Sequence, residues 1–240
     1  MIDFHAHILP RIDDGSQSVE ESIELLRMLA KQDVTHVIAT PHYDATRESP
    51  EKFLERRQRS YEALKAALPE EGIPEICLGA EVMYFPGIGG IEALPSLCFE
   101  GTNLLLMEMP MATWGEYAVR ELTNLACQGQ VTLILAHVER YWQAQDPEVW
   151  DQLLNSGAIM QVNASYFTRF ASRRRALGQL RDGEIHLLGS DCHSVKYRPP
   201  YYGDAVAIIR RKLGEEAVAH MDSFGKGLIN PIFSNKNISE

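Results

Sequence analysis

The first seven residues constrain this chain most, because they combine a strand pattern with a pair of histidines. They read MIDFHAH. Ile2 and Phe4 alternate with polar residues, which is typical of a short β-strand. His5 and His7 lie two residues apart, so on an extended backbone both imidazoles point to the same side and offer two nitrogen ligands to one metal ion. Two unrelated histidines would explain the pair if it stood alone, so the rest of the chain must decide.

The same arrangement recurs along the chain, where an apolar segment ends and a His, Glu, Asp or Asn follows. Six further strands are predicted, over residues 34–40, 75–80, 103–107, 131–136, 158–162 and 185–190. Capping and proline signals predict helix starts at Ser18, Ser49–Pro50, Glu116 and Asp146–Pro147. A basic helix is predicted over roughly residues 168–180.

Strands that alternate with helices favour an α/β fold with parallel β/α units. Polar residues follow the carboxyl ends of six strands, which is where barrels and open α/β sheets place their sites. A closed or nearly closed seven-stranded β/α barrel explains this best, because one rim would gather all these strand ends. An open doubly wound sheet is the weaker alternative, since its strand ends lie in a line.

Composition limits the classes of function. The chain has 240 residues, 45% of them hydrophobic, and we expect a single domain over residues 1–240. Its net charge of −10 and pI of about 5.3 suit a nucleic-acid backbone poorly. The four cysteines show no metal-binding or disulfide-framework spacing, which predicts a reducing, cytoplasmic location. We expect no signal peptide and no membrane span.

The predicted strand ends, with one residue from the first loop, would gather nine possible metal ligands. These are His5, His7, Asp14, His42, Glu81, Glu108, His137, Asp191 and His193. Burying so many imidazoles and carboxylates without partners is costly, and divalent ions remove that cost. Nitrogen and oxygen donors without thiolate suit zinc, manganese or iron, and nine ligands suit two or three ions. Such ions activate water and stabilise an oxyanion, so phosphate-ester hydrolysis is the natural use. Taken singly, Glu108 or Asp191 could instead cap a helix.

The motifs resemble those of a known superfamily when they are taken together. They are HAH at 5–7, DDG at 13–15, PH at 41–42, GAE at 79–81, Glu108, AHVERY at 136–141, QVN at 161–163, SDCH at 190–193 and RPP at 198–200. The combination resembles the PHP (polymerase and histidinol phosphatase) superfamily over nearly the whole chain. Within it, the chain is most similar to the bacterial metal-dependent tyrosine-protein phosphatases of the CpsB/CapC/YwqE type.

The resemblance implies a distorted seven-stranded barrel and three divalent ions. The implied ligand sets are His5, His7, Glu81 and Asp191; Glu81, Glu108 and His137; and Asp14, His42 and His193. Asp13 adjoins Asp14, so the sequence leaves the register of that loop open. Manganese is the metal the resemblance implies, although the residues do not separate it from iron, cobalt or zinc. Arg140 and Arg198 match the two arginines that such enzymes use on phosphate.

The implied reaction is direct hydrolysis of phosphotyrosine by metal-activated water, on the tail of a bacterial tyrosine kinase that controls capsule or exopolysaccharide synthesis. Three alternatives remain open: another PHP phosphoesterase such as histidinol-phosphate phosphatase, a PHP exonuclease, and a metal-binding scaffold for a kinase. The oligomeric state is also open. The Gly- and Pro-rich segment from Tyr84 to Gly90 predicts a flexible rim loop that affects substrate preference.

Two basic features need a separate interpretation. Arg169 and Arg173–Arg175 follow the sixth strand and predict either a landing patch for an anionic substrate or a solvated helix face. Cys192 to Arg198 has the C-x5-R spacing of cysteine-dependent phosphatases. That loop has no glycine, and two prolines follow it, so its backbone amides are poorly suited to hold phosphate. We therefore expect Cys192 to be a packed residue.

Overall fold

The computed structural model describes the backbone of residues 1–234 and the side chains of residues 1–229. Its strands are β1 (Ile2–Ala6), β2 (His36–Ala39), β3 (His42–Tyr43), β4 (Glu75–Leu78), β5 (Glu81–Met83), β6 (Leu104–Glu108), β7 (Thr132–Leu135), β8 (Ile159–Asn163) and β9 (Leu187–Gly189). Its α-helices are α1 (Val19–Ala30), α2 (Pro50–Lys65), α3 (Glu116–Cys127), α4 (Pro147–Asn155), α5 (Ala164–Thr168), α6 (Phe170–Arg181), α7 (Tyr202–Leu213) and α8 (Glu215–Ser234). None of the described helices is long and apolar enough to cross a membrane.

The strands form a curled parallel sheet, so the predicted α/β class is confirmed. Six strands pair in the order β3-β5-β6-β7-β8-β9, and three more pair in the order β1-β2-β4. β1 also lies beside the segment that follows β9. There Asp191 N donates to His5 O over 2.7 Å, His7 N donates to Cys192 O over 3.0 Å, and Ala6 forms a parallel bridge with Cys192. The first and last strands therefore meet beneath the cluster of histidines.

The strand count differs from the seven that were predicted, because nine segments occur in the described chain. The predicted strands over residues 34–40 and 75–80 correspond to β2 and β4, and each is followed, after an interruption, by an additional short strand, β3 or β5. Pro41 lies at the first interruption and has no N–H to donate to a ladder. Hydrogen bonds continue nearby: Thr40 N donates to Ala6 O over 3.0 Å, and Gly79 N donates to Ala39 O over 2.8 Å.

Local signals placed the early helices correctly. The Ser18 hydroxyl accepts from Glu21 N over 3.1 Å and caps α1, as its position before the apolar periodicity predicts. α1 then buries one stripe of leucines, Leu25, Leu26 and Leu29, against the sheet. The strands are buried on both faces, which explains why most of them read as continuous apolar runs.

The predicted basic helix over roughly residues 168–180 is confirmed as α6, with bounds that differ by one or two residues. The prediction did not include the short helix directly before it. The structure has two helices there, α5 and α6, separated at Arg169, whose backbone is extended (φ −71°, ψ 130°). The Arg173 guanidinium explains the break, because its Nε donates to Phe167 O over 3.0 Å and its Nη2 to Thr168 O over 2.6 Å. A side chain thus satisfies carbonyls that a continuous helix would have paired internally.

Candidate metal centre

The carboxylate of Glu81, the first residue of β5, lies at the centre of the gathered strand ends. Its Oε2 atom is 3.2 Å from His5 Nε2, 3.2 Å from His7 Nε2 and 3.0 Å from His42 Nδ1. Its Oε1 atom is 2.8 Å from His137 Nε2. The four imidazoles come from the carboxyl end of β1, which carries His5 and His7, from β3 and from the segment after β7, as the parallel arrangement predicts.

Glu108, the last residue of β6, completes the side of the cluster that contains His137. Its Oε1 atom is 3.3 Å from His137 Nε2, and its Oε2 atom is 3.9 Å from His42 Nδ1. Burial opposes charge on His137, but hydrogen bonds to Glu108 and Glu81 raise its pKa to about 9. The two oxygens of Glu81 thus contact different histidines: Oε1 lies near His137, and Oε2 lies near the other three.

The two aspartates of the first loop separate clearly. Asp14 Oδ1 lies 3.4 Å from His42 Nε2 and 3.5 Å from His193 Nε2, at the solvent side of the cluster. Asp13 is buried behind it, where its Oδ2 accepts from His7 Nδ1 over 2.8 Å and from His42 N over 3.0 Å. Asp14 faces the cluster, whereas Asp13 orients a histidine.

Asp191 follows β9 and faces both the histidines and the two predicted arginines. Its Oδ1 is 3.6 Å from His7 Nε2 and 3.4 Å from His193 Nδ1. Its Oδ2 accepts from Arg198 Nη2 over 2.6 Å and forms a second ion pair with Arg140 Nη2. Burial opposes ionisation, but the charges of His5, His7 and Arg140 hold the pKa of Asp191 well below its usual range.

The nine predicted ligands thus lie in one cluster, but the three tightest groups contain seven of them and leave out His137 and Asp191. Three overlapping groups have all their donor atoms within 4.8 Å of one another: His7, Asp14, His42 and His193; His5, His7 and Glu81; and His42, Glu81 and Glu108. His7 and His42 each belong to two groups, which no spacing in the sequence indicated.

The donor set fits divalent metal ions. Glu81 Oε2 and His193 Nε2 are buried and have no hydrogen-bond partner among the described residues, which is costly unless another group binds them. His5 Nε2 and His7 Nε2 face each other at 3.1 Å, so at most one proton can lie between them. Donor atoms that bind one ion at about 2.1 Å would lie roughly 3 to 3.5 Å apart. The spacing around Glu81 Oε2 matches that range.

Three histidines have their Nδ1 atoms next to oxygen acceptors other than the carboxylates of the predicted ligands, which leaves Nε2 to face the cluster. Asp13 binds His7 Nδ1, Gln161 Oε1 lies 3.2 Å from His5 Nδ1, and the Asp191 carbonyl lies 3.0 Å from His193 Nδ1. Partners of this kind fix the tautomer and the ring orientation of metal ligands.

Sequence reasoning assigned no role to Gln161 or to Asn163, although both support the site. Gln161 Oε1 also accepts from His137 N over 2.8 Å, and Asn163 Nδ2 donates to Asp191 Oδ2 over 2.7 Å. A signal was present, because two polar residues spaced by two in the otherwise apolar β8 must point to the same side.

Backbone strain is concentrated at two strand ends of the cluster. His137 (φ 32°) and Asp191 (φ 51°) are two of the four non-glycine residues with positive φ in the described chain. Such a conformation costs roughly 1–3 kcal/mol and persists where the surrounding structure imposes it. Gly189 permits the close approach of β9 to β1, because a Cβ there would lie 2.6 Å from the His5 Cβ.

The cluster opens into a cavity of about 540 Å³. Arg140 and Arg198 line it beside Asp191, and Met83 provides an apolar, partly exposed surface at its edge. Two guanidinium groups at the mouth of a carboxylate-rich cavity suit an anionic ligand that reaches inward.

A model of capsular polysaccharide synthesis proteins of the CpsB/CapC type matches residues 1–224. The chain belongs to the CpsB/CapC family. The tyrosine-protein phosphatase CpsB of Streptococcus agalactiae is 29% identical over 231 residues, which is 90% of this chain and 92% of that protein. The family resemblance predicted from the motifs is confirmed.

Solved structures show how far the fold is shared. A structure from work on YwqE of Bacillus subtilis and CpsB of Streptococcus pneumoniae, described as metal-dependent tyrosine phosphatases, superposes with a TM-score of 0.80 at 24% identity, over 96% of this chain and 95% of that one. A histidinol phosphate phosphatase of Lactococcus lactis has a TM-score of 0.54 at 14% identity, over 90% and 93%. At these identities the likeness concerns the fold, and it is much stronger for the first structure.

The C-x5-R loop has no anion cradle. Cys192 is fully buried, and burial raises the pKa of its thiol well above the ordinary value. His193 N donates to the Arg198 carbonyl over 3.0 Å, and Ser194 pairs with Arg198 in an antiparallel bridge. The loop therefore folds back on itself, and Cys192 is a packed residue, as predicted.

Proposed function

We propose that this protein is a metal-dependent protein-tyrosine phosphatase, a phosphoric monoester hydrolase. The observation that carries the proposal is the buried Glu81 carboxylate, which four imidazoles surround next to a pair of arginines that share Asp191. The naming of family members as tyrosine-protein phosphatases supports the choice of substrate.

We assign the metal ligands as the sequence suggested and give the site three divalent ions, with manganese as the expected metal. The sets are His5, His7, Glu81 and Asp191; Glu81, Glu108 and His137; and Asp14, His42 and His193. The buried, unpaired Glu81 and His193 atoms support bound cations, and the close donor atoms of Asp14, His42 and His193 support one of the three sets. His137 and Asp191 join their sets through their short distances to Glu81 and His7. Bound ions of this kind polarise phosphoryl oxygens and acidify water enough for it to attack at neutral pH.

The residues of the chain bind and orient the phosphate. Arg140 and Arg198 line the cavity and both pair with Asp191, so a phosphate beside them can accept bidentate, charge-assisted hydrogen bonds from them. These bonds strengthen as negative charge builds on phosphorus-bound oxygens. The phenolate of tyrosine is a relatively stable leaving group, and the mechanism assigns no residue as a strong general acid.

The proposal includes the finer features of the fold and of the biological role. If each interrupted pair, β2–β3 and β4–β5, is counted as one strand, the sheet becomes a distorted seven-stranded barrel of the PHP type within one domain. The hydrogen bonds that run beside both interruptions support that description. The substrate is the phosphotyrosine tail of a bacterial tyrosine kinase in the cytoplasm. Histidinol phosphate is the alternative substrate. Its support is a distant similarity of fold to a histidinol phosphate phosphatase.

A substrate panel tests the function. Manganese-loaded protein is assayed on a phosphotyrosine peptide, the matching phosphoserine peptide and histidinol phosphate. We expect the phosphotyrosine peptide to have the highest kcat/KM, and Arg198→Ala to lower its kcat by about 100-fold or more while metal content is unchanged. Preference for histidinol phosphate would instead favour the alternative substrate.

A further inference from the structure

A second cavity adjoins the candidate metal centre. Its volume is about 670 Å³, and Arg140, Asp191 and Arg198 line both cavities. The chain just before and within α6 forms another part of its wall and contributes Arg169 and Arg175. We call this space the basic flank cavity. A peptide whose phosphate lies between Arg140 and Arg198 would have its neighbouring residues beside this space.

The charges that line the basic flank cavity favour an anion. Four arginines line it, and its two carboxylates are already occupied. Asp191 Oδ2 binds two of the arginines, and Glu139 Oε2 accepts from the backbone N of Asn163 over 3.3 Å. The cavity is thus a local cationic region on a chain whose net charge is −10. Such a region attracts an anionic group that the whole molecule would repel.

The four arginines once predicted as a landing patch differ in their availability. Arg169 is exposed, and none of the ion pairs among the described residues involves it. Arg175 Nη2 donates to the Gln143 amide oxygen over 2.7 Å, and this neutral partner holds the guanidinium in place. Arg173 is tied to the carbonyls of α5. Arg174 is exposed and does not line the cavity.

We propose that the basic flank cavity binds an acidic side chain of the substrate peptide, next to the phosphotyrosine that is hydrolysed. Arg169 and Arg175 supply the charge. Tyr197, which is 82% exposed, and Tyr201 provide apolar surface for the peptide at its mouth. The anionic group can be a carboxylate or a second phosphotyrosine, because both accept charge-assisted hydrogen bonds from guanidinium groups. This inference rests on the proposed function and adds a preference for acidic sequence.

The test compares peptides that differ at one position. A phosphotyrosine peptide with alanine at its flanking positions is the neutral reference. An acidic residue is then placed at each position from three before to three after the reactive phosphotyrosine. The acidic residue is either glutamate or a phosphonate analogue of phosphotyrosine, which cannot be hydrolysed. We expect at least one acidic peptide to have a kcat/KM about 5- to 10-fold above the reference at low salt, and a smaller preference at high salt.

The variants assign that preference to the cavity. The double variant Arg169→Ser/Arg175→Ser should remove most of the preference for the acidic peptide, and Arg169→Ser alone should remove part of it. Arg174→Ser is the control for a single charge, because it removes one positive charge next to Arg175 on the same helix but outside the cavity, and it should keep the wild-type preference.

Hydrolysis of the neutral peptide by the wild-type protein reports on the proposed function separately. The inference is overturned if no acidic position is preferred, or if Arg174→Ser lowers the preference as much as the double variant does.

Discussion

Glu81 is a buried carboxylate with one oxygen near three imidazoles and the other near a fourth. Taking such a group out of water is costly unless positive charge or metal compensates it. The environment of His7 favours a positive charge that compensates part of this cost. Burial opposes its charge, but the carboxylates of Asp13 and Glu81 raise its pKa well above the ordinary value.

The sequence was sufficient to predict which residues gather, because parallel strands bring their carboxyl ends to one rim. It was insufficient to choose between Asp13 and Asp14. Both precede Gly15, and the choice depends on the way the loop returns: Gly15 N donates to Asp13 Oδ1 over 2.9 Å, which turns Asp13 inward and leaves Asp14 facing the rim. The spacing of residues in the sequence does not show which of the two aspartates this hydrogen bond turns inward.

Gln161 gives a test of how the ligands are oriented. Gln161→Leu removes the acceptor of His5 Nδ1, which frees the ring to turn and to change tautomer. We expect the affinity for manganese, measured by competition with a chelator, to fall by about 10- to 100-fold. Gln179→Leu is the matched control, because Gln179 is also buried but binds Tyr166 away from the cluster. Equal affinities in the two variants would contradict an orienting role.

Cys192 separates metal-dependent hydrolysis from a covalent thiol mechanism. Because the thiol is fully buried and packed, Cys192→Ser should keep most of the wild-type kcat on an aryl phosphate. Iodoacetamide should leave the wild-type protein largely active, while mass spectrometry shows that the exposed Cys127 has reacted. Loss of activity in a folded, metal-loaded Cys192→Ser protein would overturn the hydrolytic mechanism.

At the scale of elements, strand positions followed from apolar runs, but interruptions and helix breaks did not. The break at Arg169 depends on the Arg173 side chain reaching back to α5, which a helical-propensity argument cannot anticipate. α7 and α8 were not predicted. Their role lies in covering β1, where a Cβ on Gly225 of α8 would come within 2.8 Å of the Phe4 ring.

The loop of residues 84–90 is held to α3 by one carboxylate. Glu121 accepts from the Tyr84 hydroxyl over 2.8 Å and from Gly87 N over 3.0 Å. Its flexibility was expected from glycine and proline content alone, and this tertiary partner lies 34 residues away from Gly87 in the chain. Because Met83 at the edge of the metal cavity immediately precedes the loop, the carboxylate also supports that edge.

Glu121→Ala tests this restraint. Without the acceptor, the amides of Gly87 and Gly89 should exchange hydrogen roughly tenfold faster, since exchange there reflects local opening. Glu116→Ala is the control, because Glu116 is exposed on the same helix. Unchanged exchange in Glu121→Ala would mean that packing elsewhere orders the loop.

At the scale of the whole molecule, the fold brings the two ends of the sheet together to complete the site. Asp3 Oδ1 accepts from Ser190 N over 2.7 Å, which joins β1 to the segment that carries Asp191. Ligands from the first seven residues and from residues 191–193 thereby meet. Composition predicted the acidic character and the alternation of strands and helices predicted the α/β class, but neither predicts this hydrogen bond between the two ends of the sheet.

The most direct test of the account measures bound metal and phosphotyrosine hydrolysis in the same samples. The protein is stripped with a chelator, reloaded with increasing manganese, and analysed for metal per chain by elemental analysis. We predict no turnover in the stripped protein, and turnover that rises with bound manganese toward three ions per chain. His137→Ala should bind less metal and stay near background. Full turnover in protein shown to be free of metal would contradict the account.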